Sequence, residues 1–161
     1  MNFKIREIKP IEYYVLENFL YEAIYIPEGV ELPPKSIIEK PELQVYVKDF
    51  GKFKDDKCLV AEVDGKIIGA IWSRIMNDYG HIDDETPSLA MSIYKNFRGR
   101  GIGTKLLNEM IKFLQALNYK AVSLSVQKKN FAMKIYERAG FKIFLENDDD
   151  YIMTRNLKEV L

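Results

Sequence analysis

Apolar and polar positions change period several times along this chain, and each change marks an element. Phe3, Ile5 and Ile8 predict a short first strand, closed by Lys9-Pro10. Pro10 suits the first position of a helix, where its missing N–H would have no partner anyway, and the helical spacing continues through Tyr14, Leu16, Leu20 and Ala23. Between Pro27 and Pro41 four prolines and Gly29 interrupt regular structure, leaving at most a short helix near Lys35 to Glu39. Such a long connection in a small domain is usually functional, often a lid. Leu59–Val63 and Ile67–Met76, joined by Asp64-Gly65, form a hairpin with a type I′ turn signal. After a polar loop from Asn77 to Pro87, Leu89–Ile93 is a fourth strand. Ile102, Leu106, Met110, Leu114 and Leu117 make one helical stripe, widened by Leu107, Ile111 and Phe113, with Asn118 as its left-handed cap. Val122–Val126 is a fifth strand. A helix joins it to the fourth, so the two run parallel. Asn130 caps a further helix that Gly140-Phe141 closes, and Lys142–Leu145 pairs with Tyr151–Arg155 around Asp148-Asp149-Asp150.

A chain of 161 residues reads as a single domain spanning residues 1–161. Lys plus Arg and Asp plus Glu both number 24, so no net field recruits nucleic acid or an anionic membrane. One cysteine, Cys58, excludes an internal disulfide and a cysteine-based zinc site, and it lies in a strand pattern where a small buried hydrophobe is expected. No metal site is expected. With no apolar run of 18 residues and no basic-then-apolar leader, a cytoplasmic soluble protein is the default.

The string Arg98-Gly99-Arg100-Gly101-Ile102-Gly103 stands between the fourth strand and the long helix. The first N–H groups of a helix lack intrahelical partners, and the helix dipole favours an anion there. Three glycines let the backbone approach a pyrophosphate, each free to take a positive φ. Arg98 and Arg100 add planar cationic donors. A dinucleotide turn, G-x-G-x-x-G, fails at Thr104, and a P-loop fails because Gly103-Thr104-Lys105 has the wrong order.

What fits is Arg98-x-x-Gly101-x-Gly103, which resembles the pyrophosphate loop Q/R-x-x-G-x-G/A of the GCN5-related N-acetyltransferases, the GNAT family. Asn130, Ala132, Ile135-Tyr136-Glu137 and Gly140-Phe141 resemble that family's second signature, placed in the right order behind a strand. The resemblance runs from Leu89 to Phe141. It implies an α/β fold: one GNAT-type domain whose mixed, mostly antiparallel twisted sheet has about six to seven strands, with helices on both faces. Strands four and five would be parallel but splayed, with the pantetheine arm of acetyl-CoA entering between them.

Carried over residue by residue, the resemblance assigns pantetheine contacts to the backbone of Met91, Ser92 and Ile93 and to Asn130. It assigns the pyrophosphate to Arg98, Gly99, Arg100, Gly101, Ile102, Gly103 and Thr104. Lys128 and Lys129 are further candidates, for the ribose phosphate. Tyr136 matches the tyrosine that protonates the leaving thiolate, a role suited to a phenol of pKa near 10 beside a thiol near 8.5. Where some relatives carry a glutamate base on the fourth strand, this chain has Pro87. Glu85 falls on the same side if the strand extends back that far; Asp83, Asp84, Glu22, His81 and a water chain are the alternatives. Ala70, Trp72 and Arg74 share one strand face, where a Trp–Arg stack at the site mouth competes with simple packing.

The implied activity is transfer of an acetyl group from acetyl-CoA, a cosubstrate, to the primary amine of a small molecule, with a homodimer possible. Tyr21, Glu22, Tyr25, Glu28 and Glu31 would suit a cationic, partly apolar acceptor. The alternatives are acetylation of a protein N-terminus or lysine, and a non-catalytic acyl-CoA sensor.

Overall fold

Residues 2–159 are described by a computed structural model. Strand β1 (Lys4–Glu7) leads into a 3₁₀ segment (Pro10–Val15) and helix α1 (Leu16–Ala23). The helix expected from Pro10 is therefore 3₁₀ in its first turns. Glu12 accepts the Lys9 N–H at 2.9 Å and fixes that start. A second 3₁₀ turn (Lys35–Glu39) lies where the short helix was expected, and it is followed by a single-turn helix α2 (Pro41–Gln44) that apolar spacing did not reveal.

Strands β2 (Lys57–Val63) and β3 (Lys66–Arg74) form the hairpin, and Asp64 and Gly65 take φ of 50° and 79°, as a type I′ turn requires. β4 (Ser88–Ile93), α3 (Ile102–Ala116), β5 (Ala121–Gln127) and α4 (Met133–Arg138) follow, then β6 (Lys142–Glu146) and β7 (Asp150–Asn156). Asn118, at φ 67°, caps α3 in the left-handed region.

The seven strands form one sheet in the order β1-β2-β3-β4-β5-β7-β6, antiparallel except for β4 against β5. Alternation along the strands sends side chains to two apolar clusters. One, under α3, collects Ile71, Leu106, Met110, Leu124 and Met153. The other, under α1 and the segment after α2, collects Phe19, Tyr46, Val60, Ala70 and Trp72. Both sheet faces are thus covered, and no described helix is long and apolar enough to cross a membrane.

On the α1 face, Trp72 is fully buried and its indole N–H donates to the Tyr46 carbonyl at 2.9 Å. Arg74 is buried too, forking onto both oxygens of Asp56 at 3.0 Å and onto the carbonyls of Val45 and Lys48. Neither residue reaches a site mouth. Their cross-links hold the irregular chain between α2 and β2 onto the sheet, because a buried guanidinium needs every donor satisfied. Packing accounts for both side chains, and the Trp–Arg stack expected as a possible site feature does not form.

Candidate active site

β4 and β5 meet only at Ser88 and Ser123, where the Ser123 N–H donates to the Pro87 carbonyl at 3.0 Å. Beyond that point the strands separate. On its other side β4 pairs fully with β3, and the Tyr94 N–H donates to Ile68 at 2.9 Å. In an antiparallel ladder, bonded and non-bonded pairs alternate. Ser92 therefore turns its N–H and C=O to Ala70 on β3, while Met91 and Ile93 turn theirs to the gap. Ser92 does not share the gap. Its hydroxyl instead donates to the Phe19 carbonyl at 2.6 Å and anchors α1 on the sheet. The Met91 and Ile93 side chains pack on the α3 face, against the same cluster that Tyr136 borders.

The gap leads to the N-terminus of α3. Gly99 and Gly101 take φ of 76° and 80°, and a Cβ built on either would meet nothing within 4 Å, so the loop's outer side is open. Gly103 differs from the expectation of a positive φ: it lies inside the helix, buried, and its Cβ would come within 3.3 Å of Ile93 Cδ1 and 3.6 Å of Met91 Cε. Its smallness lets α3 close on β4. Ile102 is buried beneath the loop, while Arg100 and Thr104 are exposed at its rim. Arg98 folds back: its Nε donates to the Ile93 carbonyl at 2.8 Å and its Nη2 pairs with Glu22 on α1 at 3.1 Å.

Behind β5, the Asn130 side-chain oxygen accepts the Ala132 N–H at 2.9 Å and turns the chain into α4. Lys128 is committed to Glu146 at 2.6 Å and lies over the Tyr151 ring, which leaves it occupied rather than poised for a ribose phosphate. Lys129 is exposed, and its carbonyl accepts from the Tyr25 hydroxyl at 3.4 Å. With Tyr21 donating to Pro33 at 2.5 Å, this contact pins the proline-bearing segment between α1 and the β5–α4 turn. A groove of about 220 Å³ lies alongside, lined by Glu17, Asn18, Tyr21 and Glu22 of α1, by Lys35 and Ile38, and by Tyr94.

Tyr136 packs edge-on against Phe141, with ring centroids 5.8 Å apart. Burial pushes its phenol up to about 12, so the hydroxyl stays protonated at neutral pH. The Phe141 N–H donates to the Tyr136 carbonyl at 3.0 Å and closes α4 at Gly140, whose φ is 95°.

Glu85 departs from its expected place. β4 begins at Ser88, and Glu85 sits exposed in the preceding turn, its N–H held by Asp83 at 2.9 Å. The strand extension that would have aligned it with Pro87 does not form, because the Asp83 side chain claims its backbone. His81 sits in the same loop, with Nε2 3.5 Å from Asp84 and a buried Nδ1 that has no partner among the described residues.

Sequence spacing missed Asp78. Its carboxylate accepts the Ser88 hydroxyl at 2.9 Å and lies near the Tyr46 hydroxyl, which places it beside the β4–β5 junction. Burial raises its pKa above the ordinary carboxylate value, against the lowering effect of these neighbouring donors. In the sequence it is one acid among several in a polar loop. Only Gly80, two residues on, signals a close approach.

A parallel pair that parts after one bridge, above a glycine turn at a helix start, is the arrangement the two sequence signatures implied. The profile of the acetyltransferase (GNAT) family matches residues 21–141. The chain belongs to that family. Similar proteins include the probable N-acetyltransferase camello of Xenopus laevis, 36% identical over 55% of this chain and 40% of that protein. N-acetylaspartate synthetase of Rattus norvegicus is 36% identical over 63% of this chain and 34% of its own length. An N-alpha-acetyltransferase of Sulfurisphaera tokodaii is 30% identical over 61% and 68%. The chain thus spans well under half the length of the first two. Among solved structures, the PaiA N-acetyltransferase of Thermoplasma acidophilum in complex with coenzyme A shares the fold, with a TM-score of 0.69 and 23% identity over 97% of this chain and 99% of that one.

Proposed function

We propose that this GNAT domain is an acetyl-CoA-dependent N-acetyltransferase acting on the primary amine of a small molecule. The observation that carries the reading is the β4–β5 gap, edged by outward-facing backbone at Met91 and Ile93 and continuous with the open turn at Gly99 and Gly101. An extended amide chain can pair with such an edge as a further strand does, and a pyrophosphate suits the unpartnered N–H groups that start α3. Met91 N–H is the donor available to polarise a thioester carbonyl held in the gap. Attack by the amine forms the C–N bond and breaks the C–S bond, and Tyr136 returns a proton to the thiolate. Asn130 and the loop from Arg98 to Thr104 complete cofactor binding, with Arg98 acting through its hold on Ile93.

The acceptor side supports a small amine. The pinned segment around Pro33 packs along α1, and the small groove beside it carries the Glu17 carboxylate together with Lys35 and the Glu22–Arg98 pair. One similar protein is named for a small product and another for an N-alpha acceptor, so substrate size is the point to test. A panel of amines and peptides with acetyl-CoA, followed by thiol release, does so. Small amines are expected to turn over faster than peptides; preference for peptides would assign the protein to N-terminal or lysine acetylation. CoA binding with no thiol release from any amine would leave a sensor.

A further inference from the structure

We propose that Asp78 is the proton acceptor for the attacking amine, reached from the α1 face of the β4–β5 gap. The proposal rests on the transferase reading above. The turn carrying Asp78 is docked on both splayed strands at the point where they part. Ser88, the β4 residue of the only bridge to β5, donates its hydroxyl to Asp78 at 2.9 Å. Ser123, its β5 partner, donates its hydroxyl to the Gly80 carbonyl at 2.7 Å. Gly80 lies so close to β5 that a Cβ would come within 3.0 Å of the backbone of Leu124 and Ser125. No other residue type lets the turn seat there without moving one of the two.

The face matters as much as the contact. Ser88 shares its side of β4 with Ala90, which packs on the α1 cluster, and with Ser92, which bonds Phe19 of α1. Tyr136 borders the cluster under α3 on the other side of the sheet. Base and acid therefore stand on opposite faces of the sheet, so that an amine entering on one side and a thiolate departing on the other each meet a proton-transfer group. Met91 is three residues beyond Ser88, roughly 10 Å at about 3.3 Å per residue. That distance leaves room for the amine and a bridging water. As the C–N bond forms, the ammonium proton passes through that water to Asp78. As the C–S bond breaks, the phenol proton passes to sulfur, and proton return from Asp78 through solvent restores both groups.

The environment suits the task. The Tyr46 hydroxyl, from the segment after α2, and the Gly80 N–H, from its own turn, lie where they favour the charged carboxylate. Within the loop the remaining titratable groups are Tyr79, His81, Asp83, Asp84 and Glu85, with His81 and Asp84 3.5 Å apart. From β5 come only Ser123 and Ser125, whose hydroxyls are bound to Gly80 and Asp150. Burial holds the carboxyl above its ordinary pKa, which makes it a stronger base than a solvated aspartate.

The test uses the whole chain, one amine that the parent acetylates, and kcat measured across pH. Asp78→Asn keeps the shape and one acceptor oxygen; kcat should fall ~10²-fold while CoA affinity, measured by calorimetry, holds. Ser88→Ala and Tyr46→Phe each remove a donor that favours the charged carboxylate. Both should move the acid limb of the kcat profile to higher pH and keep most of the plateau rate, a shift that lost packing alone does not produce. Asp78→Asn turnover within about threefold of the parent overturns the proposal and returns the base to Glu85, Glu22 or a water chain. If Asp78→Asn does not fold, an unmoved acid limb in both other variants overturns it. A parent that binds CoA but acetylates no amine overturns the transferase reading itself, and this proposal with it.

Discussion

At the scale of single residues, environment decides which of two similar side chains is left open for chemistry. Tyr136 and Tyr119 are both tyrosines with raised pKa, but the Tyr119 hydroxyl is spent on Asp55 at 2.5 Å, whereas the Tyr136 hydroxyl bonds no described residue. Tyr136→Phe keeps the packing against Phe141, so thermal stability and CoA affinity should hold while turnover falls ~10²-fold or more; turnover within twofold would reduce Tyr136 to a packing residue. Glu12 gives a residue-level dependence on pH. The Arg6 guanidinium, bidentate at 2.9 Å, holds its carboxyl down at about 2. A depressed carboxyl contributes stability that is complete above its unfolded value, near 4.3, and is lost as pH falls toward 2. Acid titration followed by circular dichroism should show that loss over pH 4.5 to 2, smaller in Glu12→Gln; since the pair is partly solvated, salt should shrink it.

At the scale of elements, the glycine turn and α3 separate two roles that the string of glycines presents as one. Gly101 serves the left-handed turn, and Gly103 serves the contact of α3 with β4. Gly101→Val has room for its side chain but must hold φ near 80°, which costs an L-residue about 1–2 kcal/mol. A modest drop in melting temperature and a large loss of CoA affinity are expected. Gly103→Val should cost stability more heavily, because its side chain meets Ile93 and Met91 inside the core. Unchanged CoA affinity in folded Gly101→Val would make the loop a plain strand-to-helix connection.

At the scale of the molecule, the two faces of the sheet depend on different bonds. The α3 face joins its apolar cluster to neutral-acceptor bonds, Arg155 donating to the Ala139 carbonyl at 3.0 Å and Gln115 to the Leu157 carbonyl at 3.1 Å, whereas the α1 face also needs the ion pair of Arg74 and Asp56, both nearly inaccessible. Asp56→Ala leaves a buried guanidinium short of its carboxylate and should destabilise by ~3–5 kcal/mol in denaturant unfolding, with the chain between α2 and β2 loosened first. CoA or acetyl-CoA, binding only the folded state, should raise the melting temperature with concentration, by about 2.7 kcal/mol of stability at a hundred times Kd. A larger rise with ATP or NAD would point to a different ligand for the turn at Gly99 and Gly101.

The order of strands and helices, the type I′ turn at Asp64-Gly65, the Asn118 cap and the α3 stripe were legible in the sequence. Each depends on neighbours within a few positions, where period and backbone preference act directly. The signatures around Gly101 and Tyr136 likewise carried the family. Tertiary structure alone decided what those positions touch. It turned the Ser92 backbone toward β3, committed Lys128 to Glu146, ended β4 at Ser88 short of Glu85, and buried Arg74 against Asp56. It also brought Asp78 to the junction of β4 and β5, 10 positions before Ser88 in the chain. A carboxylate's partners come from whichever strands and loops the fold sets beside it, and no local spacing records that meeting.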